Sequence, residues 1–421
     1  MTRVNNYNSF DNLMKPRVLI LMHYMELGGA ESALLGLLQS VDPNRAEVDV
    51  FIYSHRGELM NYIPTDKVRV LPEIEAYSLT EKPMSEVVKK GYWRLAIARM
   101  KGRQQTSSFI KKHQDSDKSA ECGTFFQQRA TWKVLPKIQP DVEYDLAISF
   151  LTPYFFVLNN VRAKKKIGWI HTDYTRILID AEAELEMWQR LDYIASISEE
   201  VGDRFCEVFP SLKPKLIQIE NILNSEFIRK RSGEFIPTDL LRRENVVNIL
   251  SIGRYTNAKR FDEVGSICRK VRENLSQMDF SRDIHWYIIG YGGDEHLIRQ
   301  NIVKEGMENW VTILGKRSNP YPYIKECDIY AQPSRFEGKS ITVREAQILC
   351  KPVVVTSYPT AHSQIINGVD GMIVPNELDE CARGIAEFIV NLQKQNELIA
   401  YLQEHDYGNE NEVNKIYQLL R

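Results

Sequence analysis

At 421 residues, with 43% apolar and 26% charged side chains, the chain has the composition of a globular protein long enough to bury two cores. Lys and Arg (54) against Asp and Glu (56) leave a net charge of −2, which argues against a dedicated nucleic-acid binder. Six scattered cysteines without a Cys-x-x-Cys pair, a polar start at 1–15 and no apolar run near the roughly 20 residues of a spanning helix point to a reduced, cytoplasmic setting where membrane contact is at most peripheral.

After that start, expected to be loose, RVLILMHY (Arg17 to Tyr24) reads as a buried strand, and MELGGAESALLGLLQSV as a glycine loop entering a helix at Ala30 or Glu31. Gly28 and Gly29 would let the backbone approach a ligand beside unpaired helix-start N–H groups. Further strands at Glu47 to Ser54 and Val68 to Leu71 continue an open parallel sheet.

The pattern then breaks. From Tyr77 to Pro140 runs a helical, aromatic-studded segment in which 13 basic residues between Lys82 and Lys137 outnumber four acidic ones, a net of +9. It is either a solvated basic face or an amphipathic surface drawn to anionic lipid or a phosphorylated acceptor, with Tyr92, Trp93, Leu95 and Ile97 interleaving the charges.

Alternation resumes with strands at Asp145 to Leu151, Lys165 to His171, Asp192 to Ser198 and Lys215 to Asn221. His171 closes one of these strands, the end at which open α/β sheets place ligands, so it is a functional candidate as well as a structural one. The polar run 225–244 reads as a linker. A second α/β unit follows, with strands at Val246 to Tyr255, His285 to Gly292, Val311 to Leu314, Asp328 to Ser334 and Pro352 to Tyr358, and the chain closes in helices from Glu377 onward.

The chemistry concentrates in this second unit. Arg254 and Lys259 flank a loop directly after a strand, IGRYTNAKRF. PSRFEGKSITVREAQILCKPVVVT places Glu337 and Glu345 eight positions apart across a loop-to-helix junction, with Gly338 and Lys339 before a helix that Ser340 would cap. Ile341, Ala346 and Leu349 would face the sheet. Two cations, an anion-ready helix start and two carboxylates suit a nucleoside diphosphate carrying a sugar: the cations neutralise the diphosphate and the carboxylates accept from hydroxyls. No His or Cys cluster has metal spacing, so neither a metal nor another cofactor is expected.

These residues resemble the retaining glycosyltransferases of family four. The likeness rests on IGRYTNAKRF, IIGYGGDEHLI, VTILGK, the Glu337-to-Glu345 motif and the N-terminal GGAE, and covers nearly everything outside 77–140. It implies an α/β GT-B fold: two facing Rossmann-like domains with parallel sheets, an acceptor domain at 1–224, the linker at 225–244, a donor domain at 245–395, and helices at 396–421 packing back towards the first domain.

It also implies roles. Arg254 and Lys259 would bind the donor diphosphate, Glu337 the transferred sugar and Glu345 the ribose. Gly338, Lys339 and Ser340 would offer backbone N–H groups, Gly28 and Gly29 would face them, His171 would line the acceptor side, and Gly315 and Lys316 would meet the base. The implied partners are a nucleotide sugar, a UDP-sugar above all, a saccharide or lipid-linked saccharide acceptor, and an anionic membrane surface. The Glu-Gly-Lys-Ser-Ile sequence, where the family more often has Glu-Gly-Phe-Gly-Leu, resembles bacterial surface-polysaccharide transferases and makes Lys339 an extra cation near the donor. A sugar-nucleotide epimerase and a catalytically silent scaffold on the same fold are the alternatives.

Overall fold

The computed structural model describes residues 15–116, 118, 120, 122–240 and 243–420; the loose start expected at 1–15 therefore lies almost wholly outside the described residues. Two parallel sheets organise the chain. The first has seven strands, β1 (Arg17–Met22), β2 (Glu47–Ile52), β3 (Arg69–Val70), β4 (Tyr144–Ser149), β5 (Ala163–Ile170), β6 (Tyr193–Ser196) and β7 (Leu216–Gln218), in the order β3-β2-β1-β4-β5-β6-β7. The second has six, β8 (Val246–Ile252), β9 (Asp283–Ile289), β10 (Val311–Gly315), β11 (Ile329–Gln332), β12 (Val353–Thr356) and β13 (Met372–Val374), in the order β10-β9-β8-β11-β12-β13. This is the two-domain α/β arrangement the sequence resemblance implies.

The strand sequences are apolar without alternation because helices cover both faces. In the second sheet, adjacent residues feed opposite layers: Ile249, Ile288, Ala331 and Val354 enter one core, while Leu250, Ile289, Tyr330 and Val353 enter the other. The register of β8 on β9 runs from Val246 opposite Asp283 to Ile252 opposite Ile289, which carries Gly253 and Gly290 out of the sheet together. In each sheet the strand order reverses once, between β1 and β4 and between β8 and β11. The carboxyl ends at those reversals leave a crevice, and the Gly28–Gly29 loop, the 253–259 loop and the 333–340 loop all issue there.

The basic segment is a helical insertion between β3 and β4, dominated by the helices Trp93–Lys112 and Gly123–Thr131. They touch closely at Gly102, where an added Cβ would stand 2.9 Å from Gln127 Cα. Its basic residues do not all face water: Arg99 is buried and donates through Nη1 to the carbonyls of Leu79 (2.6 Å) and Lys82 (2.8 Å). The interleaved apolar residues also divide, Leu95 pointing inward while Trp93, Ile97 and Met100 remain 60–68% exposed.

The polar run read as a linker opens with a helix, Ser225–Arg231, because Asn224 caps it by accepting from Phe227 N (2.8 Å) and because Ile228 and Leu240 are apolar enough to join the second domain's core. Near the other end, the helix Val413–Gln418 returns to the first domain, where Val413, Ile416 and Tyr417 are buried in its core and the Tyr417 hydroxyl accepts from Asp42 N (2.8 Å).

Candidate active site

Lys259 is laid into the crevice by its neighbour. Gly253 leaves room for the lysine stem, since a Cβ there would stand 3.2 Å from Lys259 Cδ. The ammonium donates to both oxygens of Glu337, at 2.6 and 2.7 Å, and Ser334 Oγ donates to Oε1 at 2.6 Å. The Glu337 loop is itself held: Arg335 bonds Asp262 at 2.7 and 2.9 Å and Glu263 at 2.6 Å, and Thr360 Oγ1 donates to the Glu337 carbonyl at 3.0 Å. A carboxylate only 7% exposed is thus fixed and charge-matched before any ligand arrives.

Past Glu337 the chain enters the helix Ile341–Ile348. Ser340 stands at the N-cap position with extended backbone, but its hydroxyl makes no cap bond and pairs with Thr342 Oγ1 at 3.2 Å. Its N–H, expected to be free for an anion, donates to Gln364 Oε1 (3.0 Å), and Gln364 Nε2 returns a bond to the Ser340 carbonyl (2.6 Å). The anion-ready donors are therefore the N–H groups of Gly338 and Lys339, which have no partner among the described residues. Ala346 enters the core as expected. Ile341 and Leu349 pack against that core as well, Ile341 also reaching across the crevice so that its Cδ1 lies 3.7 Å from where a Gly29 Cβ would be.

Glu345 is enclosed one side chain deeper, 3% exposed, accepting from the Tyr321 hydroxyl at 3.0 Å. Burial pushes its carboxyl up to about 7, with the Tyr321 bond and the nearby Arg231 charge opposing the rise. Arg231 is 2% exposed, its guanidinium 3.6 Å from the Tyr62 ring centroid and its Nε paired with Glu234 Oε1 at 3.5 Å.

The facing domain supplies Gly28 and Gly29 at the start of the helix Gly29–Gln39, and His171 just past β5. The imidazole packs on Phe150 (centroids 4.8 Å apart), and burial pulls it down to about 4, against the opposing pull of Phe150's backbone and the Asn221 side chain, so it is neutral at physiological pH. Several contacts bridge the domains: Lys316 to Glu58 (2.9 Å), Lys339 to Glu220 (2.7 Å), and the Tyr291 hydroxyl donating to the Leu27 carbonyl (2.7 Å). Lys339 is thus tied to the opposite domain, while Arg254 stands exposed with no ion-pair partner among the described residues.

Together these side chains line an interdomain cavity of about 410 Å³. Gly28, Gly29, His171, Arg254, Lys259, Lys316, Glu337, Gly338, Lys339, Ser340 and Glu345 all reach it. Gly315 does not: with φ +72° it turns the chain out of β10 so that Lys316 and Arg317 reach the cavity instead. Arg231 and Tyr321 are additional lining residues. Arg231 was hidden by the polar run around it, although the Asn224 cap was a readable helix signal; nothing near Tyr321 in the sequence marks it. Among the described residues no group of three or more His, Cys, Asp or Glu side chains could hold a metal ion.

The cavity can hold an anion against Arg254 and the Gly338–Lys339 N–H groups while two buried carboxylates accept from hydroxyls. Residues 233–405 match the family described as glycosyl transferases group 1. An uncharacterised glycosyltransferase of Methanocaldococcus jannaschii, MJ1059, is 23% identical over 254 residues, 56% of this chain, and the match spans 60% of that relative's length. Among solved structures, Anabaena HepE in complex with UDP-glucose superposes with a TM-score of 0.61 at 16% identity, covering 96% of this chain and 98% of that one. A variant of S. aureus TarM in complex with fondaparinux, alpha-GlcNAc-glycerol and UDP superposes with a TM-score of 0.65 at 12% identity, covering 96% and 100%. At those identities the likeness establishes the fold.

Proposed function

We propose that the chain, whose residues 233–405 match the glycosyl transferases group 1 and which has a GT-B fold, is a retaining, metal-independent glycosyltransferase that moves a hexosyl unit from a UDP-sugar to a saccharide acceptor in cell-surface polysaccharide synthesis. The observation that carries this reading is the meeting, in one interdomain cavity, of unpaired Arg254, the Lys259–Glu337 pair, the free N–H groups of Gly338 and Lys339, and buried Glu345. The complexes of HepE with UDP-glucose and of TarM with UDP and saccharides support the same class of donor and acceptor.

In this reading Arg254 and the two N–H groups hold the diphosphate, Glu345 accepts from the ribose hydroxyls, and Glu337 accepts from the sugar. The bond from the anomeric carbon to the phosphate oxygen lengthens, and negative charge grows on the diphosphate beside Arg254 and Lys259. The acceptor hydroxyl bonds to the same face of that carbon and passes its proton to the departing phosphate oxygen, so the products are a glycoside and UDP. No side chain is needed as nucleophile; the protein contributes position and fixed charge. Neutral His171 offers an uncharged ring nitrogen beside the reacting sugar.

The insertion supports a lipid-linked acceptor. Trp93, Ile97 and Met100 recur at helical spacing on one exposed face, flanked by Arg94, Lys101 and Arg103, the pattern of a helix lying in an anionic membrane surface. Sedimentation with phosphatidylglycerol vesicles at low salt should carry the protein down, and Trp93→Glu with Ile97→Glu should leave it in solution. The donor reading is tested by a thermal-shift screen of nucleotide sugars, in which a UDP-sugar raises the melting temperature. Indifference to every nucleotide sugar would refute it.

A further inference from the structure

A second cavity, of about 250 Å³, opens at the carboxyl ends of β1, β4 and β5, roofed by the insertion helix Gly123–Thr131. Its wall mixes apolar side chains, Phe125 and Tyr174 among them, with polar groups from His23, Tyr24, Thr124, Thr152, Thr172 and Glu184. His23 Nδ1 is engaged by Glu81 Oε1 at 3.0 Å, which leaves Nε2 buried and without a partner. Glu184 is 5% exposed, accepts a long bond from Trp188 Nε1 (3.4 Å), and is pushed up to about 7 by burial, so its carboxyl can donate to or accept from a hydroxyl. Buried polar groups of this kind ordinarily find partners.

This cavity neighbours the donor site. Thr172 is shared with a small intervening cavity of about 140 Å³, and that one shares His171 and Gly338 with the large cleft. We propose that the cavity beneath the insertion binds an uncharged pyranose ring of the acceptor, its rings packing on the sugar's apolar face while His23 Nε2, Glu184 and the threonine hydroxyls meet its hydroxyls. The assignment rests on the glycosyl-transfer reading of the cleft. A uronate or sugar phosphate is disfavoured, because among the described residues the wall holds no Lys or Arg to meet an anion, while it does hold the Glu184 carboxyl. The volume admits one ring and falls below the ~300–1,000 Å³ of drug-sized pockets.

Saturation-transfer NMR on the full chain tests this, with methyl glucoside, galactoside, mannoside and N-acetylglucosaminide as probes and methyl glucuronide as the charged control. At least one neutral methyl hexoside should receive saturation, and the signal should fall at least fivefold in Thr124→Trp, an exposed position at the cavity mouth where the larger side chain fills the space. Glu184→Gln, which keeps the shape of the wall, should weaken the same signal. UDP titrated in parallel should bind both variants as it binds the parent. Absence of any neutral-hexoside signal, a signal indifferent to Thr124→Trp, or equal binding of the glucuronide overturns the proposal. Failure of UDP to bind would instead strike the donor reading and leave the hexoside result to be judged alone.

Discussion

Replacing Glu345 by Gln should make the protein more stable at alkaline pH and a poorer binder of nucleotide. The carboxyl is held at about 7 against an ordinary 4.5, so folding favours its protonated form. The stability tied to that proton is complete below pH 4.5, is lost progressively between 4.5 and 7, and above 7 the buried carboxylate costs roughly 3 kcal/mol at ~1.4 kcal/mol per pH unit. Gln cannot ionise and can still accept from Tyr321. The stability gap, variant over parent, should therefore widen from pH 4.5 to 7 and level off above. At 2–4 °C per kcal/mol for a domain of this size, the plateau is on the order of 6–12 °C. His171 and His285, both drawn down to about 4, and Glu184, raised to about 7, titrate in the same range but in both proteins alike, so they cancel in the difference. Thermal melts of the two proteins from pH 4.5 to 8.5 make the measurement. Parallel curves, or a variant less stable at pH 8, would show that Glu345 is comfortably ionised and that the reasoning from burial is wrong. In the parent, UDP should bind more tightly as pH rises through 7, because ribose hydroxyls prefer the carboxylate; that dependence should vanish in the variant.

Three further outcomes are expected. Lys259→Ala should lower turnover about 10²-fold or more, since it removes a leaving-group cation and strands buried Glu337; near-normal kcat with the donor would remove Lys259 from the mechanism. Arg231→Met should raise the donor KM about tenfold, with kcat changed less, because a buried guanidinium beside Glu345 and the cavity is lost while its packing between Tyr62 and Tyr321 is retained. Gly36→Ala should destabilise the first domain by about 1–3 kcal/mol, since a methyl group there overlaps the Ile222 carbonyl; a melt displaced by several degrees is expected, and an unchanged one would mean that the helix can shift.

What could be read from the chain alone follows from how each feature is encoded. Strands such as Val353–Thr356 are legible because both faces are buried and every residue must be apolar. β13 has three residues between glycine-rich and proline turns, too few to show a period. Helix Ser225–Arg231 carries charge on most positions and buries only Ser225, Ile228 and Arg231, so composition argued for a linker where capping argued for a helix. At the site, residue types were readable but pairings were not. Lys259 and Glu337 are 78 positions apart, and nothing local says that they neutralise each other. Ser340 looked like a free donor because its partner, Gln364, lies 24 residues downstream on another short helix. Lys339, an extra cation near the donor in the sequence reading, is tied to Glu220 for the same reason.

The chain crosses between the domains twice, near 223–225 and near 405–412, and the two crossings are stitched to each other. Leu223 N donates to Asn409 Oδ1 (2.8 Å), Asn409 N to the Leu223 carbonyl (3.3 Å), and Ser225 Oγ to Asp406 (2.7 Å). A pair of bonded crossings behaves as a spine: the halves can swing open like a book about it but cannot slide past one another or drift apart. Cleavage of either crossing alone should leave a nicked molecule that elutes at its full size, held by the other crossing and by the returning helix Val413–Gln418.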